Sequence, residues 1–327
     1  MDKPKVVFID HIFPDLRVER AILEPLGIEL IEGHCKSVEE VISLTQTAAA
    51  MMATSFKPIN EDIFRVCPKL KFIIRMGIGV DTIDLLAATR YGICVCNVPD
   101  FCLQEVSDHT VALLLSLARK ITLADSRMKK GEFSYLYLRP IARLQGRTVG
   151  FLGFGRIARL VANKISPFGV RMLFYDPYVS EETREGCTKL SLEELLRESD
   201  FLCVHVPETA ETHHLLNRET LALMKPSAYV INAARGGIID TSALIEMLQS
   251  GRLAGAALDV VENETGLLPD HPLCLMENVI LTPHVGWYSE DSIQQVRVDA
   301  ATEVARFLKG QPLKALVNPE VLKSSSG

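Results

Sequence analysis

The stretch TVGFLGFGRIARL, residues 148–160, joins a short apolar segment to a glycine turn and the start of an amphipathic pattern. The segment before the glycines has the β-type residues of a buried strand, and the apolar residues after them recur at helical spacing. Gly153, Gly155 and Ala158 fill the pattern G-x-G-x-x-G/A at the strand-to-helix turn. Such a turn lets the backbone approach a pyrophosphate at a helix N-terminus. The stretch therefore predicts the first βα unit of a dinucleotide-binding domain.

A second apolar segment, RMLFYDPY (171–178), follows and carries Asp176 at its end. A carboxylate at this distance from the glycine turn accepts hydrogen bonds from the adenosine ribose and repels a 2′-phosphate. We therefore predict NAD, rather than NADP, as the cofactor. A generic αβ turn followed by an exposed aspartate is the structural alternative.

Composition and charge exclude several classes of protein. The 327 residues suggest about two domains, and 48% hydrophobic with 23% charged residues is an ordinary globular composition. The formal charge of −6 argues against a nucleic-acid-binding surface. The longest apolar run, VALLLSLA (111–118), is far shorter than the roughly 20 residues of a membrane span, and no signal segment precedes the first strand. We expect a cytoplasmic protein without membrane contacts.

The eight cysteines show no CxxC or other ligand spacing, so reduced thiols and no metal site are expected. Five strand-like segments precede residue 100, and a long amphipathic pattern from about Leu103 to Lys130 predicts a long connecting helix. Five more strand-like segments follow the glycine turn, and a last helix is expected from 289 to about 310. This alternation predicts two doubly wound parallel-sheet α/β domains.

The ordered motifs of the chain resemble those of the D-isomer-specific 2-hydroxyacid dehydrogenases. They are RMGIGVDTID (75–84), NVPDF (97–101), VGFLGFGRIA (149–158), VHVP (204–207), NAARGGIID (232–240), GAALDVVENE (255–264) and LTPHVGW (281–287). Within the family, HVGWYSEDS (284–292) resembles the branch of the C-terminal binding protein corepressors, since most members carry a small residue where this chain has Trp287.

The resemblance also implies a domain organisation. A Rossmann NAD-binding domain (103–289) is expected as an insertion into a flavodoxin-like substrate domain. The first segment of that substrate domain is 1–102, and a C-terminal helix and tail (290–327) return to it. The family further implies a homodimer formed through the NAD-binding domain.

Reduction of a 2-oxo acid needs a cation at the carboxylate and ketone, a proton donor, and a hydride donor. Arg235 follows an apolar strand, so its charge projects from the end where ligands bind in such sheets. His284 also follows a short strand, and a carboxylate from Glu264 on one imidazole nitrogen would favour the charged ring. The family assigns these three residues as catalytic. Alone, each could be a surface arginine, a structural histidine or a solvated glutamate.

The resemblance supplies the remaining candidate site residues. Gly77 and Gly79 could also turn backbone N–H groups towards an anion, and Trp287 could wall a pocket for an apolar chain or be a core tryptophan. The substrate-binding set is Arg75, Gly77, Ile78, Gly79 and Trp287. The cofactor-binding set is Gly153, Gly155, Arg156, Ile157, Asp176, His205, Val206, Pro207, Thr212, Ala233, Ala234, Asp259 and Gly286.

Together these features predict an NAD-dependent oxidoreductase that interconverts a D-2-hydroxy acid and a 2-oxo acid, with His284 as general acid and base. One alternative is a corepressor-like binding protein that senses NAD(H). Another is a short phosphoglycerate dehydrogenase or a glyoxylate/hydroxypyruvate reductase type of enzyme. The identity of the 2-oxo acid stays open.

Overall fold

A computed structural model describes residues 3–54, 58–264 and 267–324. The chain divides into two compact units, one of Met1–Cys102 with Ser289–Gly327 and one of Leu103–Tyr288. The second unit is thus continuous in sequence, whereas the first is assembled from the two ends of the chain.

The regular elements alternate along the chain. The strands are β1 (Lys5–Ile9), β2 (Glu29–Gly33), β3 (Ala50–Ala53), β4 (Phe72–Arg75), β5 (Cys94–Cys96), β6 (Thr148–Leu152), β7 (Arg171–Tyr175), β8 (Thr183–Arg184), β9 (Cys187–Lys189), β10 (Phe201–Val204), β11 (Tyr229–Asn232), β12 (Gly255–Leu258) and β13 (Val279–Leu281). The α-helices are α1 (Arg17–Leu23), α2 (Val38–Thr45), α3 (Glu61–Val66), α4 (Leu85–Arg90), α5 (Leu103–Arg119), α6 (Ile121–Lys129), α7 (Arg156–Ile165), α8 (Leu192–Glu198), α9 (Arg218–Leu221), α10 (Thr241–Gln249), α11 (Pro272–Leu275), α12 (Glu290–Leu308) and α13 (Val321–Ser324).

The first unit contains a parallel five-stranded sheet in the order β2-β1-β3-β4-β5. This is the flavodoxin-like order. The C-terminal segment completes the unit, because Phe307 of α12 stacks on Phe72 of β4 with 4.7 Å between ring centroids. Further on, the backbone N–H of Val317 donates to the carbonyl of Val95 at 2.8 Å.

A buried ion pair joins the two ends of the chain within this unit. The guanidinium of Arg297 on α12 donates to both carboxylate oxygens of Glu19 on α1, at 2.8 and 2.7 Å. Glu19 is fully buried and Arg297 is 6% exposed. Removal of one partner would leave an uncompensated buried charge, which typically costs about 3–5 kcal/mol.

The second unit contains an eight-stranded sheet in the order β13-β12-β11-β10-β6-β7-β9-β8, parallel except for β8 against β9. Apolar clusters cover both faces of the sheet, which explains why its central strands are apolar throughout. Strand order reverses between β6 and β10, the switch point at which ligands bind in Rossmann folds. The predicted class, two doubly wound parallel-sheet domains, is confirmed.

The prediction of one long helix from about Leu103 to Lys130 is wrong, because the structure has two helices there, α5 and α6. Lys120 adopts a left-handed backbone conformation with φ 51°, which separates α5 from α6. Both sides of the break are amphipathic, so periodicity alone could not reveal it. Within the described ranges, no helix combines the length and the apolar character that a membrane crossing requires.

Candidate functional site

The glycine turn joins β6 to α7 in the second unit. Gly153 has φ +86°, and a Cβ there would lie 2.9 Å from the backbone nitrogen of Val206, so only glycine fits. A Cβ on Gly155, by contrast, would meet no described atom within 4 Å. Gly155 is the N-cap of α7, and Arg156 and Ile157 form its first turn. The helix N-terminus therefore opens onto free space, as an anion site requires.

Asp176 directly follows β7 and lies beside this turn. Its carboxylate accepts hydrogen bonds from the backbone N–H groups of Phe154, at 2.8 Å, and Tyr178, at 2.9 Å. Strand β7 thus brings the carboxylate of Asp176 to the glycine turn, where the sequence predicts that it binds the ribose hydroxyls of the cofactor.

The loop after β10 packs against the same turn. Burial lowers the pKa of His205 to about 4, so its ring is neutral at physiological pH. Its buried Nε2 atom has no hydrogen-bond partner among the residues that the structure describes. The Thr212 hydroxyl donates to the carbonyl of Pro207 at 2.6 Å and closes the loop. The predicted residues 205–207 and Thr212 are therefore brought together.

Arg235 lies in a turn that follows β11. The buried side chain of Asn232 shapes this turn, because its oxygen accepts from the N–H of Ala234 at 3.0 Å and its nitrogen donates to the carbonyl of Arg235 at 2.8 Å. The intervening Ala233 continues the turn. The Arg235 guanidinium also donates to the carbonyl of Ala234 at 2.8 Å. The cation is held close to the carboxyl end of a central strand.

His284 and Glu264 form a pair in the same unit. The Nδ1 atom of His284 lies 3.0 Å from a Glu264 carboxylate oxygen, and the side chains are 41% and 43% exposed. His284 adopts φ 52°, a left-handed conformation that is uncommon outside glycine, asparagine and histidine. The contact leaves Nε2 as the nitrogen available to a substrate.

Asp259 anchors the loop that carries His284. Its buried carboxylate accepts hydrogen bonds from the Thr282 hydroxyl at 2.5 Å and from the N–H groups of Val285 at 2.9 Å and Gly286 at 2.8 Å. His109 Nε2 lies 3.3 Å away. Burial alone would raise the pKa of Asp259, but these hydrogen bonds outweigh it and lower the pKa to about 2. The permanently charged carboxylate fixes both sides of the loop.

The other candidate substrate residues divide between the units. Arg75 and the loop from Gly77 to Gly79 lie in the first unit, where a Cβ on Gly77 would lie 1.2 Å from the Arg75 guanidinium. The carbonyl of Ile78 accepts from the Asn97 side chain at 2.6 Å. Trp287, in the second unit, is only partly buried, and its ring meets that of Tyr288 edge-on at 5.7 Å.

Sequence reasoning missed three residues that shape this site. Asn232 supports the Arg235 turn, while His109 and Thr282 surround Asp259 and lie 3.0 Å from each other. The one usable signal was on α5, where polar residues interrupt an otherwise apolar buried face. Hydrogen-bond partners of this kind are far apart in sequence, so no local motif marks them.

Comparisons with known proteins bear on both units. Residues 111–286 match the family model described as D-isomer specific 2-hydroxyacid dehydrogenase, NAD binding domain. A D-3-phosphoglycerate dehydrogenase of Methanocaldococcus jannaschii is 38% identical over 91% of this chain and 56% of its own length. A glyoxylate reductase of Thermofilum pendens is 36% identical over 95% of this chain and 96% of its own.

A solved structure gives the same picture. The D-lactate dehydrogenase of Aquifex aeolicus, complexed with NAD and lactic acid, is 32% identical, covers 98% of both chains and superposes with a TM-score of 0.85. The chain spans little more than half the length of the phosphoglycerate dehydrogenases that it matches.

Proposed function

This chain belongs to the D-isomer-specific 2-hydroxyacid dehydrogenase family, and we propose that it interconverts a D-2-hydroxy acid and a 2-oxo acid with NAD(H) as cofactor. The observation that carries the proposal is the contact between His284 Nδ1 and Glu264 at 3.0 Å. This pair lies in the unit that contains the match to the family's NAD-binding domain.

The residues present fit a dinucleotide. The space in front of Gly155 at the N-terminus of α7 suits a pyrophosphate. Asp176 lies beside the same turn, where its carboxylate can accept from the ribose hydroxyls. The neutral ring of His205, whose Nε2 atom has no hydrogen-bond partner among the described residues, suits the region of the adenine. When bound, the nicotinamide supplies or accepts the hydride.

The protein groups then hold the substrate and move the proton. We assign Arg235 to the substrate carboxylate and carbonyl oxygen, because a fixed guanidinium at a strand end can polarise both. Nε2 of His284 delivers a proton to the developing alkoxide in reduction and accepts it in oxidation. Glu264 orients the ring through Nδ1. The roles assigned to Arg75, Gly77, Ile78, Gly79 and Trp287 remain predictions.

A screen of NADH oxidation across 2-oxo acids tests this function. The acids should include glyoxylate, hydroxypyruvate, its 3-phosphate, pyruvate and longer branched chains. Glyoxylate comes first, because the similar glyoxylate reductases match this chain over nearly their whole length. We expect at least one acid to be reduced far faster than by a His284→Ala control.

The corepressor-like alternative rests on HVGWYSEDS and is judged by the same screen. Tight NADH binding without turnover of any 2-oxo acid would contradict the dehydrogenase proposal and favour a binding protein that senses NAD(H).

Cofactor choice gives a prediction at Asp176. The unsubstituted protein, called the parent below, should have a much higher kcat/KM with NADH than with NADPH, because the 2′-phosphate of NADPH would be repelled by the Asp176 carboxylate. Asp176→Asn keeps an oxygen for the N–H of Phe154 but removes the charge, so the ratio of kcat/KM for NADPH to that for NADH should rise. Steady-state kinetics with both cofactors measure it. Equal efficiency with both in the parent protein would contradict the assignment.

We also propose a cytoplasmic homodimer formed through the second unit. Support comes from the segment 121–136, which exposes large apolar side chains, including Ile121, Met128, Leu136 and an 89% exposed Phe133. Sedimentation velocity on the full chain should give a dimer, and Phe133→Glu should shift it towards monomer. A parent protein that is monomeric at micromolar concentration would contradict this.

A further inference from the structure

Three potential metal ligands meet at the carboxyl ends of β1 and β2 in the first unit. His11 Nε2 lies 2.7 Å from a carboxylate oxygen of Glu32, and His34 Nε2 lies 4.0 Å from the same oxygen. One ligand atom from each residue can be chosen so that all three lie within 4.8 Å of one another. None of the three residues belongs to the sets proposed above for catalysis and cofactor binding.

The backbone around these ligands is fixed in advance. The parallel register pairs Phe8 with Glu32, which brings the ends of the two strands together. The N–H of Asp10 donates to the carbonyl of Gly33 at 3.0 Å, and the carboxylate of Asp10 accepts from the N–H of Cys35 at 2.8 Å. These two contacts bracket His34. The positions of the ligands are thus set by the sheet rather than by a free loop.

The side chains combine a buried and an accessible part. His11 is only 7% exposed and packs against Phe8, with ring centroids 5.2 Å apart, so its ring has little freedom. Glu32 and His34 are much more exposed and leave a route for an ion. The Nδ1 atom of His11 is buried without a hydrogen-bond partner among the described residues. Within that part of the chain, the contact of Nε2 with Glu32 is therefore the only hydrogen bond of the His11 ring.

We propose that His11, Glu32 and His34 bind a divalent transition-metal ion of the Zn²⁺ class. Two imidazole nitrogens and one carboxylate oxygen suit zinc, and water can complete the coordination. The sequence expectation of no metal site considered cysteine spacing, whereas these ligands come from separate strands. Because β2 is the edge strand of its sheet, a bound ion would tie that edge to β1.

A second group, His213, His214 and Glu262, provides the internal comparison. There both histidines already contact a carboxylate, because His214 Nε2 bonds to Glu262 at 2.6 Å and His213 Nδ1 lies 3.2 Å from Glu208, whereas in the first group only His11 makes such a bond, to Glu32. Glu262 also accepts from the N–H of Thr241 at 2.8 Å. An ion in the second group would have to displace these three contacts, but an ion in the first group would replace only the bond between His11 and Glu32, so we assign the zinc to the first group.

Zinc titration of the full chain by calorimetry, after removal of metals with a chelator, tests the proposal. The parent should bind one Zn²⁺, and binding should raise its melting temperature. His34→Ala and Glu32→Gln remove ligands that are exposed to solvent, so the fold should survive. Each should weaken binding at least tenfold, since even loss of an outer-shell partner typically costs about 10–100-fold.

His213→Ala is the matched control and should bind zinc as the parent does. Zinc affinity that is unchanged in His34→Ala, or lost in His213→Ala, would overturn the assignment. Absence of saturable zinc binding to the parent would overturn it as well. Circular dichroism of each variant shows whether the fold is retained.

Discussion

Replacement of His284 by alanine is expected to lower kcat for 2-oxo acid reduction by about 10²–10⁴-fold, the usual contribution of general acid–base catalysis. NADH binding should be largely preserved, because the glycine turn and Asp176 are untouched. The proposed reason is that Nε2 of His284 is the proton donor, with Glu264 holding Nδ1 at 3.0 Å. Stopped-flow single turnovers and NADH fluorescence titration measure the two quantities separately.

The backbone at this position calls for a second variant. Alanine at φ 52° carries a strain of roughly 1–2 kcal/mol, whereas asparagine tolerates this conformation. His284→Asn should therefore keep the loop and lose the same turnover, and Glu264→Gln should lose less. Near-normal turnover in either His284 variant, with the cofactor bound, would mean that the proton comes from another group.

Arg235→Gln should lower kcat/KM by roughly 10²–10³-fold, comparable to the loss of an oxyanion-hole donor. The guanidinium is proposed to bind the substrate carboxylate and to polarise the carbonyl, so KM should rise and kcat should fall. Arg235→Lys keeps the charge without the planar fork and should recover only part of the activity. Arg252→Gln, at an exposed position, is the control and should have no effect. An Arg235→Gln enzyme with parental kcat/KM would remove Arg235 from the catalytic set.

Local motifs predicted the parts of the site that a short segment can encode. The turn at Gly153 and Gly155 and the carboxylate of Asp176 follow from strand, turn and helix signals within one βαβ unit. The hydrogen-bond network of Asp259 does not, because His109 and Thr282 come from a distant helix and loop. Their meeting depends on how α5 packs against the sheet.

The fold shows the same division. Strand alternation predicted both sheets, but the break at Lys120 and the antiparallel edge formed by β8 and β9 were not predicted. A single left-handed residue leaves the amphipathic period intact on both sides, and a strand of two residues is too short to show a period. His11, Glu32 and His34 likewise become neighbours only through the register of β1 and β2.

The ion pair between Glu19 and Arg297 and the stack of Phe72 on Phe307 also set the order in which the protein can be completed during synthesis. Residues 1–102 emerge from the ribosome long before α12 and the tail are synthesised, because the whole second unit is made in between. At about 5–20 residues per second, the N-terminal segment waits roughly 10–40 s for its partners. During that interval Glu19 lacks its counter-ion Arg297, and Phe72 of β4 lacks the ring of Phe307 that packs on it. We therefore expect chaperone binding to matter most while the chain is still being synthesised.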